Sequence, residues 1–228
     1  MRSFGAIHGT ALTGANLVFA VLLACLCTGA AKAEEKPGAF AWSWATSEKF
    51  CDQNCAGAIY AGKFLHTEMV QVFGIEDGFV PIWNWTYEES WIVAGTFSRR
   101  IGGFGRFIDI EAETGLAKRF GNISEVEVWG AVYFRWKAFP WNNYLRTTIG
   151  LSTRLNWASG VPEAERIRAI NKKGRQLLHF FSPEMTFGLP SEPDWDMVLR
   201  IHHRSGWWVF PDIGGGAQFL VIGVRHTF

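Results

Sequence analysis

The stretch Gln218-Phe219-Leu220-Val221-Ile222-Gly223-Val224-Arg225-His226-Thr227-Phe228 decides the fold. Side chains of a strand alternate between two faces. Gln218, Leu220, Ile222, Val224, His226 and Phe228 therefore share one face of an extended segment. The same alternation recurs upstream. Val126, Val128, Gly130, Val132, Phe134 and Trp136 lie on one side of their segment, against Glu125, Glu127, Tyr133, Arg135 and Lys137 on the other. Ile108 and Ile110 likewise oppose Asp109, Glu111 and Glu113. A soluble sheet would turn such charges to water and the apolar face to a core. A membrane barrel turns the apolar face to lipid and pairs the charges inside.

Eight segments of this kind lie near residues 57–72, 88–101, 104–119, 124–138, 145–158, 176–189, 195–205 and 217–228. Their connections alternate in length. Gly102-Gly103 reads as a tight turn, and Pro140-Trp141-Asn142-Asn143 and Pro190-Ser191-Glu192-Pro193 are short. The connections 73–87, 159–175 and 206–216 are longer, as the external loops of outer-membrane barrels are. A last strand ending in an aromatic resembles the insertion signal of bacterial outer-membrane proteins. The expected fold is all-β, an eight-stranded antiparallel transmembrane β-barrel over residues 57–228. Leu220, Ile222 and Val224 should lie outside and Arg200 inside, with Arg135, Arg154 and Arg200 available to pair with Glu111, Glu113 and Asp109. An eight-stranded interior is just filled by side chains.

The start of the chain reads as an export leader over residues 1–33. Arg2 precedes an apolar run from Leu17 to Leu26, and Ala31-Lys32-Ala33 gives a small-x-small site. The run is shorter than the roughly 20 residues a membrane-spanning helix needs. A rival reading takes Leu22-Leu23-Ala24-Cys25 as a lipoprotein site. Residues 34–56 then form an N-terminal periplasmic segment, and the outer membrane is the destination. With the leader go Cys25 and Cys27, leaving Cys51 and Cys55, which export would join as a local disulfide. Over the full 228 residues Lys+Arg number 22 and Asp+Glu 21, a balance that argues against a nucleic-acid partner. The 12 Trp and 19 Phe suit aromatic girdles at two membrane interfaces.

One constellation carries chemistry. In the seventh segment Met197, Leu199, Ile201, His203 and Ser205 share the outward face, while Val198, Arg200, His202 and Arg204 share the other. A hydroxyl beside an imidazole can act as nucleophile and general base; a polar rim where the strand leaves the bilayer is the plainer reading. If Ser205 lies opposite residue 218 in the final hairpin, Gln218 is the third group, with Asp212 as the nearest acidic substitute. His202 points into the lumen as a structural hydrogen-bonding partner. His66, His179 and His226 are scattered, with no metal-ligand spacing.

Leu199-Arg200-Ile201-His202-His203-Arg204-Ser205-Gly206, with the strand ending in Phe228, resembles the PagL-type lipid A 3-O-deacylases. These are eight-stranded outer-membrane barrels with a His-x-Ser motif on the penultimate strand and an acidic residue on the last. The resemblance covers about the last thirty residues. It implies His203 as base and Ser205 as nucleophile. Gln218 stands where the family has its acid, and Gly206 where it usually has Asn. It also implies attack on the ester at the 3-position of the proximal glucosamine, with a backbone amide near Gly206 facing the oxyanion and acyl chains beside Ile201, Leu199 and Leu220. Arg204 joins these as a substrate-binding residue. No metal or other cofactor is required. Arg166, Arg168, Lys172, Lys173 and Arg175 in loop 159–175 form either a solvated face or an external patch for lipid A phosphates.

Two other functions fit the same sequence. One is a non-catalytic structural barrel, which Gln218 favours; the other is a different lipid A-modifying enzyme, an oxidase or an acyltransferase.

Overall fold

The structure, a computed structural model, describes residues 41–45, 50–75, 78–206 and 209–228. The expected leader, residues 1–33, lies outside the described residues. The chain divides into two compact units, of which residues 67–75 and 78–85 make the described part of one. There Gln71 Oε1 accepts the Glu68 N–H at 3.2 Å and closes a helical turn, α1 (Met69–Val72). The strand expected over 57–72 therefore ends at Leu65.

The other unit is a ring of antiparallel strands. Its members are β2 (Cys55–Leu65), β3 (Tyr87–Phe104), β4 (Ile108–Gly121), β5 (Val126–Trp136), β6 (Arg146–Ala158), the pair β7 (Leu177–Phe180) and β8 (Glu184–Gly188), β9 (Trp195–Ser205) and β10 (Ala217–Thr227). Each pairs with the next, and β10 pairs with β2 from Phe219↔Phe64 to Thr227↔Ala56, which closes the ring. Counting β7 and β8 as one position gives eight. A short β1 (Trp42–Trp44) pairs with the end of β3. A short helix, α2 (Glu163–Arg168), lies in the β6–β7 connection.

The sixth position is interrupted at Phe181-Ser182-Pro183. Proline has no N–H to give the ladder. Pairing with β9 nevertheless runs through the break: Phe181 N–H donates to His203 O at 3.1 Å, and Ile201 N–H to Pro183 O at 2.9 Å. The expected turn at Gly102-Gly103 is not one. Both glycines lie within β3, and the chain reverses at residues 105–107. A Cβ on Gly102 would come 2.9 Å from Ser43 O, and one on Gly103 would come 2.4 Å from Ile108 O. These glycines serve close approach to β1 and β4.

The lumen holds the charges. Arg135 donates to both oxygens of Glu111 at 3.0 and 3.2 Å and pairs with Glu184 at 2.7 Å. Arg200 grips Glu113 at 3.1 and 2.9 Å and reaches Glu184 at 2.6 Å. Arg119 pairs with Glu127 and, at 2.8 Å, with Glu165. Asp109 joins Arg100 and Lys137 instead. Arg154 departs from the expected luminal set. Its φ of 147° breaks the local alternation, and its side chain is exposed. Aromatics share the interior: Trp129 donates its indole N–H to Glu113 at 3.0 Å. Gly115 makes room for it, since a Cβ there would lie 2.0 Å from the ring.

The outer wall is apolar. Ile59 (67 % exposed), Val93, Leu116, Val128, Phe134, Ile222 (58 %) and Val224 all face away from the lumen. Exposing such a belt to water would be unfavourable by about 25 cal/mol per Å². Facing hydrocarbon removes that penalty, and ring closure satisfies the backbone donors and acceptors there. Trp42, Trp44, Trp141 and Trp195 gather at the end with the short turns, and Trp91, Phe120 and Trp157 toward the end with the long loops.

The two ends of the ring meet at the seam. Cys55 N–H donates to Phe228 O at 3.2 Å, and Phe228 N–H to Cys55 O at 2.9 Å. Just before it, Cys51 and Cys55 form the expected disulfide, with Cα atoms 5.0 Å apart.

Candidate functional site on the outer wall

Near its loop end, β9 carries alternating contacts that fix each side chain's direction. Arg200 and His202 face inward. His202 meets Tyr60 Oη through Nδ1 at 3.1 Å and Glu127 through Nε2 at 3.0 Å, a structural role inside the lumen. Ile201, His203 and Ser205 therefore face outward. On β10, Phe219 and Val221 pack in the core, so Gln218 and Leu220 face outward beside them.

The register brings Gln218 opposite His203, and Leu220 opposite Ile201. The expectation that Gln218 would lie opposite Ser205 is off by two residues. Ala217 opposes Arg204, because Gly216 packs directly on the Arg204 carbonyl; a Cβ there would lie 1.9 Å from that oxygen. A two-residue slip preserves the face, so Gln218 remains on the site's side of the wall. Its side chain hydrogen-bonds the His203 ring. His203 Nδ1 is shielded from solvent without a hydrogen-bond partner among the described residues, which leaves Nε2 as the nitrogen open to Gln218. Ser205 lies two residues along the same face. No hydrogen bond joins it to His203 among the described residues.

The residue that does oppose Ser205 is His179, across the β7–β9 pair. His179 is 2 % exposed, and its Nε2 lies 2.9 Å from Thr153 Oγ1 on β6. Leu178 and Phe180 pack inward, so His179 shares the outer face with Ser205. It was not among the sequence-derived candidates, though the signal was available. Residues equidistant from Glu192 pair along β8 and β9, as Met185 does with Leu199 and Glu184 with Arg200. The same count carries His179 to Ser205.

Several expected members stand elsewhere. Arg204 faces the lumen, not a lipid: it is fully buried and donates to Arg175 O at 3.0 Å and Gln176 O at 2.6 Å, 3.7 Å from Glu165. The parity that sends His203 out sends Arg204 in. The Gly206 N–H, expected to face an oxyanion, instead donates to Gly214 O at 3.1 Å. Gly206 is a packing position, where a Cβ would lie 2.3 Å from Phe210 O. Asp212 is held on loop 159–175 by Asn171 at 3.0 Å and Arg175 at 3.3 Å. Leu199, Ile201 and Leu220 do line the wall beside the site. In the basic loop Arg166 pairs with Glu163, Arg175 with Asp212, and Lys172 with Ile167 O. Arg168 donates to His66 O and Gly216 O.

A closed antiparallel ring with an ion-paired lumen and an apolar exterior is a transmembrane β-barrel, the architecture of the bacterial outer membrane. No protein-family model matches the sequence, and no curated protein matches it. Among solved structures it is similar to the crystal structure of Neisserial surface protein A (NspA), at 11 % identity over 78 % of this chain and 98 % of that one, with a TM-score of 0.47. It is also similar to a de novo designed transmembrane β-barrel, at 10 % identity over 86 % of this chain and 100 % of that one, with a TM-score of 0.39.

Proposed function

We propose that this barrel is an outer-membrane esterase that removes an ester-linked acyl chain from lipid A, with Ser205 as nucleophile, His203 as general base and Gln218 as the group that orients the imidazole. The observation that carries this reading is the state of His203. Gln218 holds one ring nitrogen, and the other, Nδ1, is buried with no hydrogen-bond partner among the described residues. A buried polar atom without a partner is unfavourable by about 1–3 kcal/mol, and such atoms call for an explanation. A lone pair kept for a proton in transit is one, with a serine on the same strand face two residues away.

The chemistry follows. Ser205 Oγ bonds to the ester carbonyl carbon while its proton passes to His203 Nδ1, and the carbonyl π pair moves to oxygen. The tetrahedral species collapses and breaks the C–O bond to the sugar, whose oxygen takes the proton from His203. Water then attacks the acyl-serine by the same route, releasing a fatty acid and restoring Ser205. Gln218 can accept from the Nε2–H and so fix the tautomer, though it stabilises the imidazolium less than a carboxylate would. Leu199, Ile201 and Leu220 would contact the acyl chain. The site lies toward the long-loop end, where the outer leaflet and its lipid A are expected, and a lipid approaching laterally would have to reach Ser205, which is 6 % exposed. Residues 50–54, just ahead of β2, would stay on the periplasmic side.

The test is mass spectrometry of lipid A incubated with the purified, folded barrel. Loss of one hydroxyacyl chain is expected, and abolished in Ser205→Ala and His203→Ala. Deacylation undiminished in Ser205→Ala removes the nucleophile. The missing Ser205–His203 hydrogen bond favours a second reading, a structural barrel, which predicts unchanged lipid A throughout.

A further inference from the structure

We infer that His179 belongs to this site as the donor to the ester carbonyl oxygen, with Thr153 as its positioning residue; the inference rests on the esterase reading above. The charge that develops on the carbonyl oxygen during attack by Ser205 needs a hydrogen-bond donor already in place, above all beside an apolar wall where water is scarce. The Gly206 amide is committed to Gly214 O. Arg204 is turned into the lumen and committed to loop carbonyls. The side chain directly across from Ser205 is His179. Residues facing each other on neighbouring strands have Cβ atoms about 4.5–5.5 Å apart, which leaves room for a carbonyl oxygen between a serine-bound carbon and the imidazole.

Two imidazoles then flank Ser205 with separate duties. His203 takes the serine proton from along β9, and His179 meets the oxygen from β7. Thr153 sets the difference in duty. Thr153 Oγ1 lies 2.9 Å from His179 Nε2; when the hydroxyl donates there, the ring carries its own proton on Nδ1 and is neutral. It then suits donation to an oxyanion rather than uptake of a proton.

The test uses the folded barrel and purified lipopolysaccharide, with released hydroxy fatty acid quantified by mass spectrometry and folding checked by heat-dependent gel mobility. His179→Leu should lower kcat by about 100-fold with KM changed less than about twofold, as loss of one oxyanion donor does. His179→Gln keeps an N–H donor and should recover about tenfold of that loss. Thr153→Val should lower kcat less, and Thr153→Ser should restore it. A kcat for His179→Leu within about threefold of the wild type overturns the role of His179 while leaving the esterase reading intact. If His179→Leu does not fold, equal rates in Thr153→Val and Thr153→Ser overturn it instead. A folded wild-type barrel that releases no fatty acid overturns both.

Discussion

Replacing Arg200 with leucine tests whether the lumen is held by its charges. Arg200 is 2 % exposed and bridges two strands' worth of carboxylates, Glu113 on β4 and Glu184 on β8. Its loss affects them unequally. Glu184 keeps Arg135 at 2.7 Å, whereas Glu113 keeps only the Trp129 indole at 3.0 Å among the described contacts. The penalty therefore concentrates on one stranded carboxylate. Breaking a buried pair from one side costs about 3–5 kcal/mol. Arg200→Leu should destabilise the barrel by that amount. Removing the orphaned charge as well, in Arg200→Leu with Glu113→Gln, should recover at least about half, because the amide can still accept from Trp129. The assay is reversible denaturant unfolding from lipid vesicles, followed by tryptophan fluorescence. An Arg200→Leu barrel within about 1 kcal/mol of the wild type would refute the reasoning, as would a double variant no more stable than the single one.

Ile222→Lys places a charge at an outward position that is 58 % exposed to the membrane side, and the same unfolding assay should show a loss of up to about 2–4 kcal/mol. Gly206→Ala should lower stability and loosen loop 206–216, since its Cβ would meet Phe210 O at 2.3 Å and Ile213 Cβ at 2.6 Å; faster proteolysis of that loop checks it. Gln218→Glu should preserve or raise the deacylation rate, because a carboxylate opposite His203 stabilises its protonated form better than an amide; a fall in initial rate contradicts that role.

The strand ring was readable because a strand's period is short and local. In β5 the odd positions Glu127, Trp129, Ala131, Tyr133 and Arg135 are buried, while the even ones Val126, Val128 and Phe134 are exposed, as alternation alone required. Ser205, His203 and Gln218 shared a face for the same reason. What periodicity does not contain is register and backbone approach. Gly102-Gly103 looks like a turn, yet its missing side chains make way for β1 and β4, which come from distant sequence. Gln218 fell two residues from its expected partner because packing at Gly216, not parity, sets the last hairpin. His179 reads as scattered in the sequence because its significance is a cross-strand relation: it becomes a neighbour of Ser205 only when the Glu192 hairpin is counted through the break at Pro183. The sequence could not reveal either that Gly206 lends its amide to Gly214, since a loop's hydrogen bonds depend on its closure.

The seam between β2 and β10 has a consequence for the order of assembly. Its two partners are the first and last members of the ring, so nearly all of the barrel's sequence lies between residues that must find each other. Every other pairing within the ring is a hairpin and can form as soon as its own two strands exist. Until the last one arrives, β2 presents one unmatched edge, and the growing sheet presents another, both able to capture a foreign strand. Closure of so distant a loop is entropically slow, and it is also the step that hides both edges at once. Kinetic vulnerability during biogenesis should therefore be concentrated at this one junction, and sequence changes along β10 should affect the yield of folded protein more than equally disruptive changes in β4 or β5.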